Sequence, residues 1–445
     1  MTLQTGQLIT ELIDLLNQHP DVAQWSVLHE QKREWQHYLI QQRPEATREV
    51  TQEVYLVTLY HSHPHPTAQG TAMGTATITI TDADLPNLGA KLEEGLLAAS
   101  LTNNEPWSLP QPSGYPDVPL VDEATLADPL GTLEAFTSEL YRAVAGEASV
   151  RLSAAEMFFE EKTSRIYNQA GVSGEQRETS FMLEVVLLAQ DGQGTEMEHW
   201  FVERRRRLQD LDIARLIAEN AQYARDSIVA GLPKTWHGPV VVAHGELPEM
   251  FHPLTVRAGG SYKYMKLTQV TPGEEFFGDR AVEGEALNAS FSSALPYGVK
   301  SFCFNAEGLP GRDIPVVENN VFRTYIASQR YADYLGVEAT GDAGNLVLKP
   351  GSTPLADLLR GPVYYIVAFS AMMPNPFTGD FAVEIKLGYY IDEHGNRTPV
   401  KGGSVSGNLF DMLTRSVYAR EEVFTGSYQG PVAVRVENSL TIAGE

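Results

Sequence analysis

His244 and His252 bracket the most suggestive stretch of the chain, His244-Gly245-Glu246-Leu247-Pro248-Glu249-Met250-Phe251-His252. Zinc-assisted peptide hydrolysis needs two imidazoles three or four residues apart on one helix face, with a glutamate beside them to deprotonate the bound water. Here the two histidines stand about two turns apart, ~12 Å of helical rise, too far for one ion. Pro248 predicts a helix start at that point and leaves His244 in the preceding loop. Glu249 and His252 share a face at i, i+3, but two donors do not make a site. His244, Glu249 and His252 are an incomplete set, and the preferred reading is an ordinary surface or interface histidine.

A second group is His61-Ser62-His63-Pro64-His65-Pro66. In an extended segment His61, His63 and His65 point the same way, and three imidazoles suit zinc or nickel. Pro64 and Pro66, however, deny a ladder its donors and predict a strand end running into an exposed hairpin tip. The remaining chemistry is sparse. There is no G-x-S-x-G, no P-loop, and no G-x-G-x-x-G after a strand. The single cysteine, Cys303, falls in the apolar stretch 299–304, read as a strand, and is expected to act as a small buried hydrophobe. One cysteine excludes a disulfide framework or a C-x-x-C site within the chain and fits a reducing compartment. Glu156, Glu160 and Glu161 are read as a solvated turn. By residue chemistry alone the chain holds no complete active site.

Charge narrows the classes further. The 445 residues carry 33 Lys and Arg against 57 Asp and Glu, a net −24. Such a surface repels phosphate backbones, so no nucleic-acid partner is expected. The one basic run, Arg204–Arg207, is read as a solvated strand end or helix start. The N-terminus carries Glu11 and Asp14 and lacks the basic start of a secretory leader. The longest apolar run, 363–373, falls short of the ~20 residues that span a bilayer. A soluble, cytoplasmic protein with no membrane partner is expected.

The elements that must hold these residues fall into three blocks. In residues 1–102, Leu8, Leu12 and Leu15 make a helical stripe. Alternating strands follow at 23–31, 33–41, 51–61 and 70–80, then a helix near 84–101 that turns Leu88, Leu92, Leu96 and Leu97 inward. Residues 103–127 are proline-rich and read as a linker or wrapping loop. Residues 128–232 repeat the order: a helix at 129–145, strands at 148–159, 163–170, 180–190 and 196–206, and a helix at 209–230. From 233 to 445 short strands alternate with Gly, Asn and Asp turns, and two short helices are expected near 327–335 and 407–418. The fold class is α+β: two helix–antiparallel-strands–helix units, then a mostly β, barrel-like C-terminal domain.

Several stretches resemble the TldD/PmbA family, also labelled modulator of DNA gyrase. They are Phe322–Gly336, Thr340–Asn345, Thr378-Gly379-Asp380-Phe381, Gly407–Met412 and Ser439–Gly444, with the hairpin Ile166–Val172 in the middle of the chain. The resemblance is sharpest from 313 to 444. That family has a TldD-like branch, whose H-E-x-x-x-H helix and later cysteine complete a zinc site, and a PmbA-like (TldE-like) branch that lacks them. This sequence is similar to the second: no H-E-x-x-x-H follows residues 240–243, and no cysteine stands in 420–430.

The resemblance implies a zinc-less, non-catalytic subunit of a metallopeptidase complex. Zinc is expected in a TldD-like partner and no cofactor in this chain. The pair, a heterodimer or else a homodimer, would enclose a chamber for unfolded peptides, each bound as an added strand. Candidate peptide contacts lie in the loops 375–381 and 402–408, at Asn375, Thr378, Gly379, Asp380, Gly407 and Asn408, whose types suit close backbone approach; ordinary tight turns are the competing reading. Two alternatives stay open. One is a peptidase with its own divergent metal site, using His244, Glu249 and His252 or the 61–65 cluster. The other is a stand-alone homodimeric peptide-binding protein.

Overall fold

The structure is a computed structural model that describes residues 2–67 and 69–445, with side chains from Leu8 onward. The chain begins with α1 (Thr2–Gln18), β1 (Gln24–Ile40), β2 (Arg43–Pro64), β3 (Thr71–Ile80) and α2 (Leu88–Ser100). After α3 (Glu123–Ala127) the order recurs as α4 (Pro129–Ala145), β4 (Val150–Asn168), β5 (Ser173–Gln190), β6 (Glu196–Arg205) and α5 (Ile213–Val229). All six strands form one curled antiparallel sheet in the order β3-β2-β1-β4-β5-β6. β1 and β4 join the two units, in register from Ser26↔Asn168 to Ile40↔Ala154.

The segments 23–31 and 33–41 are thus a single strand, and so are 148–159 and 163–170. The polar residues between them do not break the ladder because cross-strand partners neutralise them. Lys32 pairs with Glu160 at 3.3 Å, Arg33 with Glu49 at 2.7 Å, and Arg177 with Glu161 at 2.6 Å. Glu156, Glu160 and Glu161 therefore lie mid-strand in β4, not in a turn.

One face of this sheet carries two separate cores. α1 and α2 bury Leu12, Leu16, Leu88, Leu92 and Leu96 against Trp25, Val27, Tyr55 and Val57. α4 and α5 bury Leu133, Phe136, Leu140, Ile213 and Ile217 against Trp35, Phe159, Phe181 and Leu183. The buried stripes follow i, i+4 spacing, which leaves Leu15 38% and Leu97 66% exposed, outside the stripes expected for them. On the opposite face the alternation places charge: Glu30, Lys32 and Glu34 of β1 stand across from Ser164, Lys162 and Glu160 of β4. Residues 103–122 wrap rather than dangle. Trp107 meets Tyr60 and Tyr334 edge-on at 5.4 and 6.3 Å, and the Ser108 N–H donates to Asp333 at 2.7 Å.

The C-terminal region is largely β. Its strands are β7 (Val240–Ala243), β8 (Ala289–Ser292), β9 (Asp313–Glu318), β10 (Val321–Phe322), β11 (Asn345–Leu348), β12 (Val363–Phe369) and β13 (Asp380–Ile391). They continue as β14 (Arg397–Asn408), β15 (Ser416–Tyr418), β16 (Glu422–Thr425), β17 (Tyr428–Pro431), β18 (Ala433–Val436) and β19 (Leu440–Ala443). One sheet runs β15-β18-β7-β12-β13-β14-β19 and the other β10-β9-β8-β11-β17-β16, with a shared core between them. Short helices α6 (Leu247–Met250), α7 (Pro253–Arg257), α8 (Gly260–Tyr264), α9 (Gln329–Leu335), α10 (Leu355–Leu358) and α11 (Leu409–Leu413) fill the connections. The helix expected over 407–418 is only α11, because Ser416–Tyr418 are drawn into pairing with β18.

Two expectations change at the seam between the halves. Cys303 sits in a bend, not a strand, with its N–H bonded to Gln176 Oε1 at 2.8 Å. Arg206 is not solvated at all: it is 4% exposed. Its guanidinium donates to the carbonyls of Gly298, Val299, Ser301 and Thr179 and pairs with Glu178 at 3.0 Å. A planar fork with five donors suits such a carbonyl cluster, and it ties the six-stranded sheet to the C-terminal region.

Candidate functional site

The chain leaves β7, fully buried between β12 and β18, directly into the 244–257 segment. Pro248 and Pro253 each start a short turn of helix, so the segment breaks into a 3-10 turn at His244–Glu246, then α6, then α7. His244 lies in the 3-10 turn, Glu249 in α6 and His252 before the first residue of α7, so no helix of this segment carries two of them. His244 is half-buried, and burial pushes its imidazole below the usual range. Glu249 and His252 are exposed. The structure does not bring the three together. Among the described residues no group of three or more His, Cys, Asp or Glu side chains could hold a metal ion. A zinc ion does not fit the donors at 244–252.

The other histidine cluster is engaged locally. The rings of His61 and His63 stack at 5.6 Å near the end of β2. His61 Nδ1 faces the Asp21 carbonyl at 2.9 Å, and His63 turns Nδ1 to Pro64 O and Nε2 to Thr102 O, both at 3.1 Å. His65 Nδ1 accepts the Thr67 N–H at 3.2 Å in the hairpin tip. The same-side placement holds for the stacked pair, with ring nitrogens on main-chain groups.

The six candidate peptide contacts do converge. Asp380 opens β13 and Asn408 ends β14, directly opposite each other, with Phe381 opposite Gly407. Asn408 Nδ2 donates to Asp380 Oδ1 at 2.7 Å and to Thr378 O at 2.8 Å. Its Oδ1 accepts from the N–H groups of Phe410 and Asp411 and so caps α11. Asn375 Oδ1 accepts from Phe377 and Thr378, and its backbone N–H and C=O bond Asp380 O and Gly379 N at 2.8 Å each. Gly379 is required twice over. Its φ is +82°, and a Cβ there would stand 2.8 Å from the Phe410 ring. The hydrogen bonds to Asn408 and Thr378 hold the Asp380 carboxyl below its ordinary range. The result is a rigid pair of turns with its main chain held in a fixed shape.

Three further residues shape this end of the molecule. Glu246 is buried enough that its carboxyl is pushed up to about 7, although it accepts the Phe369 N–H at 3.2 Å and Lys386 works in the other direction. Lys386 reaches across to β6, donating to Trp200 O at 3.1 Å with its ammonium 5.2 Å from the indole centre. The guanidinium of Arg257, at the end of α7, lies against the rings of both Phe276 and Phe410, which pack edge-on on each other. Sequence reasoning missed all three, since their environment comes from strands far apart in the chain. Only Glu246 carried a signal, its place beside Pro248 just after an apolar strand. Between the charged sheet face and the C-terminal region a cavity of about 310 Å³ is lined by Glu30, Lys162, Ser164, Gln176, Glu178 and Arg206, among others.

Comparison with known proteins follows this architecture. Residues 266–444 match the PmbA/TldA metallopeptidase C-terminal domain. The chain is 24% identical over 273 residues to a zinc metalloprotease TldD homolog of Saccharolobus solfataricus, covering 56% of this chain and 60% of that one. It is 29% identical over 126 residues to a metalloprotease PmbA homolog of Haemophilus influenzae, covering 27% and 28%. The match thus spans less than two thirds of either curated relative. The crystal structure of TldE from Thermococcus kodakarensis superposes with a TM-score of 0.78 at 16% identity, over 99% of this chain and all of that one, which establishes a common fold. Among the described residues no helix is long and apolar enough to cross a membrane. Residues 266–444 are thus similar to the PmbA/TldA metallopeptidase C-terminal domain, and the chain as a whole shares the fold of the TldE structure.

Proposed function

We propose that this chain is the zinc-less, PmbA/TldE-like subunit of a TldD/TldE-type metallopeptidase complex that processes unfolded peptides. The observation that carries the reading is the breaking of 244–257 by two prolines, which scatters His244, Glu249 and His252 where the zinc-bearing branch is expected to gather its ligands. The hydrolytic ion then belongs to a TldD-like partner. This chain contributes walls and shape: the curled sheet with its charged face, and the turns at 375–381 and 407–411 with their fixed main chain. Main-chain recognition of an added strand tolerates many side chains, which suits unfolded peptides as a substrate class.

Co-expression with an H-E-x-x-x-H relative from the same genome tests the proposal. The expected outcome is co-elution as one heterodimer whose peptidase activity needs both chains. Elution of this chain as a separate homodimer, with a fully active partner, overturns it in favour of a stand-alone binder.

A further inference from the structure

A crevice of about 420 Å³ opens between α5 and the seven-stranded sheet, lined by Glu219, Tyr223, Tyr365, Tyr389, Arg397 and Pro399, among others. It shares no lining residue with the 244–257 segment or with the paired turns. Its floor follows from strand register. Tyr365 of β12, Tyr389 of β13 and Pro399 of β14 are successive cross-strand partners, so the three stand on one face of the sheet. Its wall is α5, where Glu219, Gln222, Tyr223 and Asp226 recur at three- and four-residue steps and so look the same way. Three charged groups surround this space: Glu219 and Arg397, both exposed at the rim, and the half-buried Asp226. Among the described residues none of the three is ion-paired.

Opposite charges on one crevice are held apart here by phenols. Tyr389 OH donates to Asp226 Oδ2 at 2.7 Å and Gln222 Nε2 donates to its Oδ1 at 2.9 Å, so both oxygens of that carboxylate are taken. Tyr223 OH donates to Glu219 Oε1 at 2.8 Å and leaves Oε2 open. The Tyr365 phenol feels Glu219 from one side and Arg397 from the other, and its hydroxyl has no hydrogen-bond partner among the described residues. Burial, and after it the Glu219 charge, push that phenol above its ordinary range, so it stays a neutral donor. We propose that the crevice binds a small zwitterion of the amino-acid type, a free amino acid or a dipeptide. Its ammonium sits on Glu219, its carboxylate on Arg397 and the Tyr365 hydroxyl, and its apolar side chain on the floor of Tyr365, Tyr389 and Pro399. A guanidinium fork matches a carboxylate, and an open carboxylate oxygen matches an ammonium. The volume falls in the range of small-ligand sites, about 300–1,000 Å³. A ligand with no net charge is neither drawn nor repelled by the chain's −24, so selection rests on the placed charges. The inference does not depend on the subunit proposal.

The test is isothermal titration of the full chain with phenylalanine and with the dipeptide alanyl-phenylalanine, then with the N-acetyl and C-terminal amide forms of whichever binds tighter. Each blocked form is expected to bind about tenfold more weakly than its zwitterion. Tighter binding of the amino acid assigns a short span between Glu219 and Arg397, and tighter binding of the dipeptide a long one; either supports the site. Glu219→Gln is expected to erase the discrimination against the acetyl form and keep that against the amide. Arg397→Gln is expected to do the reverse. Both side chains are exposed, so the fold should survive either change. Absence of binding by both zwitterions at millimolar concentration overturns the proposal. So do blocked forms that bind as well as the zwitterion to the wild-type chain, and discrimination that survives both substitutions. Each of these failures leaves the subunit proposal standing, since none of them involves a partner chain.

Discussion

The segment 244–257 and the paired turns 375–381 and 407–411 pack on the same core, yet they are built in opposite ways. In the first, Pro248 and Pro253 cut the chain into short turns, and the side chains that could do chemistry diverge. In the second, Asn375, Thr378, Gly379, Asp380 and Asn408 bond one another and leave little freedom to the main chain. On the function proposed above, this end of the chain offers shape rather than reactivity. Dispersed donors cannot hold an ion.

The largest effect that bears on this contrast is expected at Asn408. Asn408→Ala removes a helix cap and the donors to Asp380 and Thr378, and it should cost about 2–3 kcal/mol by urea denaturation, with weakened peptide binding. A change below ~0.5 kcal/mol would mean the turns are not interlocked as described.

Glu246 tests the other region through pH. Its carboxyl stands at about 7 when folded against an ordinary 4.5, so the folded state binds that proton more tightly. The group's contribution is therefore most favourable below pH 4.5 and is lost as pH rises through 7. Glu246→Gln keeps an acceptor for the Phe369 N–H and should stabilise the chain at pH 8 by ~1–3 kcal/mol, with no gain at pH 4. Equal effects at both pH values would contradict a buried, protonatable Glu246.

Gly379→Ala meets both a left-handed backbone and the Phe410 ring. A loss of ~1–2 kcal/mol is expected in thermal unfolding. The smallest effect belongs to His252→Ala, whose exposed ring should cost less than ~0.5 kcal/mol and leave metal content unchanged. A larger loss on adding a chelator to wild type than to this variant would reopen a metal role for the 244–252 segment.

Much of the frame was legible from residue order. The helix at 129–145 and the i, i+4 leucines of α2 follow from periodicity alone, and Gly379 with Asn408 stood out as turn residues. What stayed hidden depended on distant partners. Polar Lys32 and Glu160 looked like interruptions until each met the other across β1 and β4. Arg206 looked like one of four solvated arginines, yet it is buried by carbonyls more than ninety residues away. Leu15 and Leu97 were misplaced because a helical stripe is fixed only to within one position until the opposing sheet is known. No local pattern marks Arg257, since both phenyl rings around it come from other parts of the chain.

Metal analysis of the chain purified alone, beside the chain purified with a zinc-motif partner, tests the central claim most directly. The account predicts zinc near one per heterodimer and none above background in the lone chain. Stoichiometric zinc in the lone chain, lost on His244→Ala or His252→Ala, would contradict it.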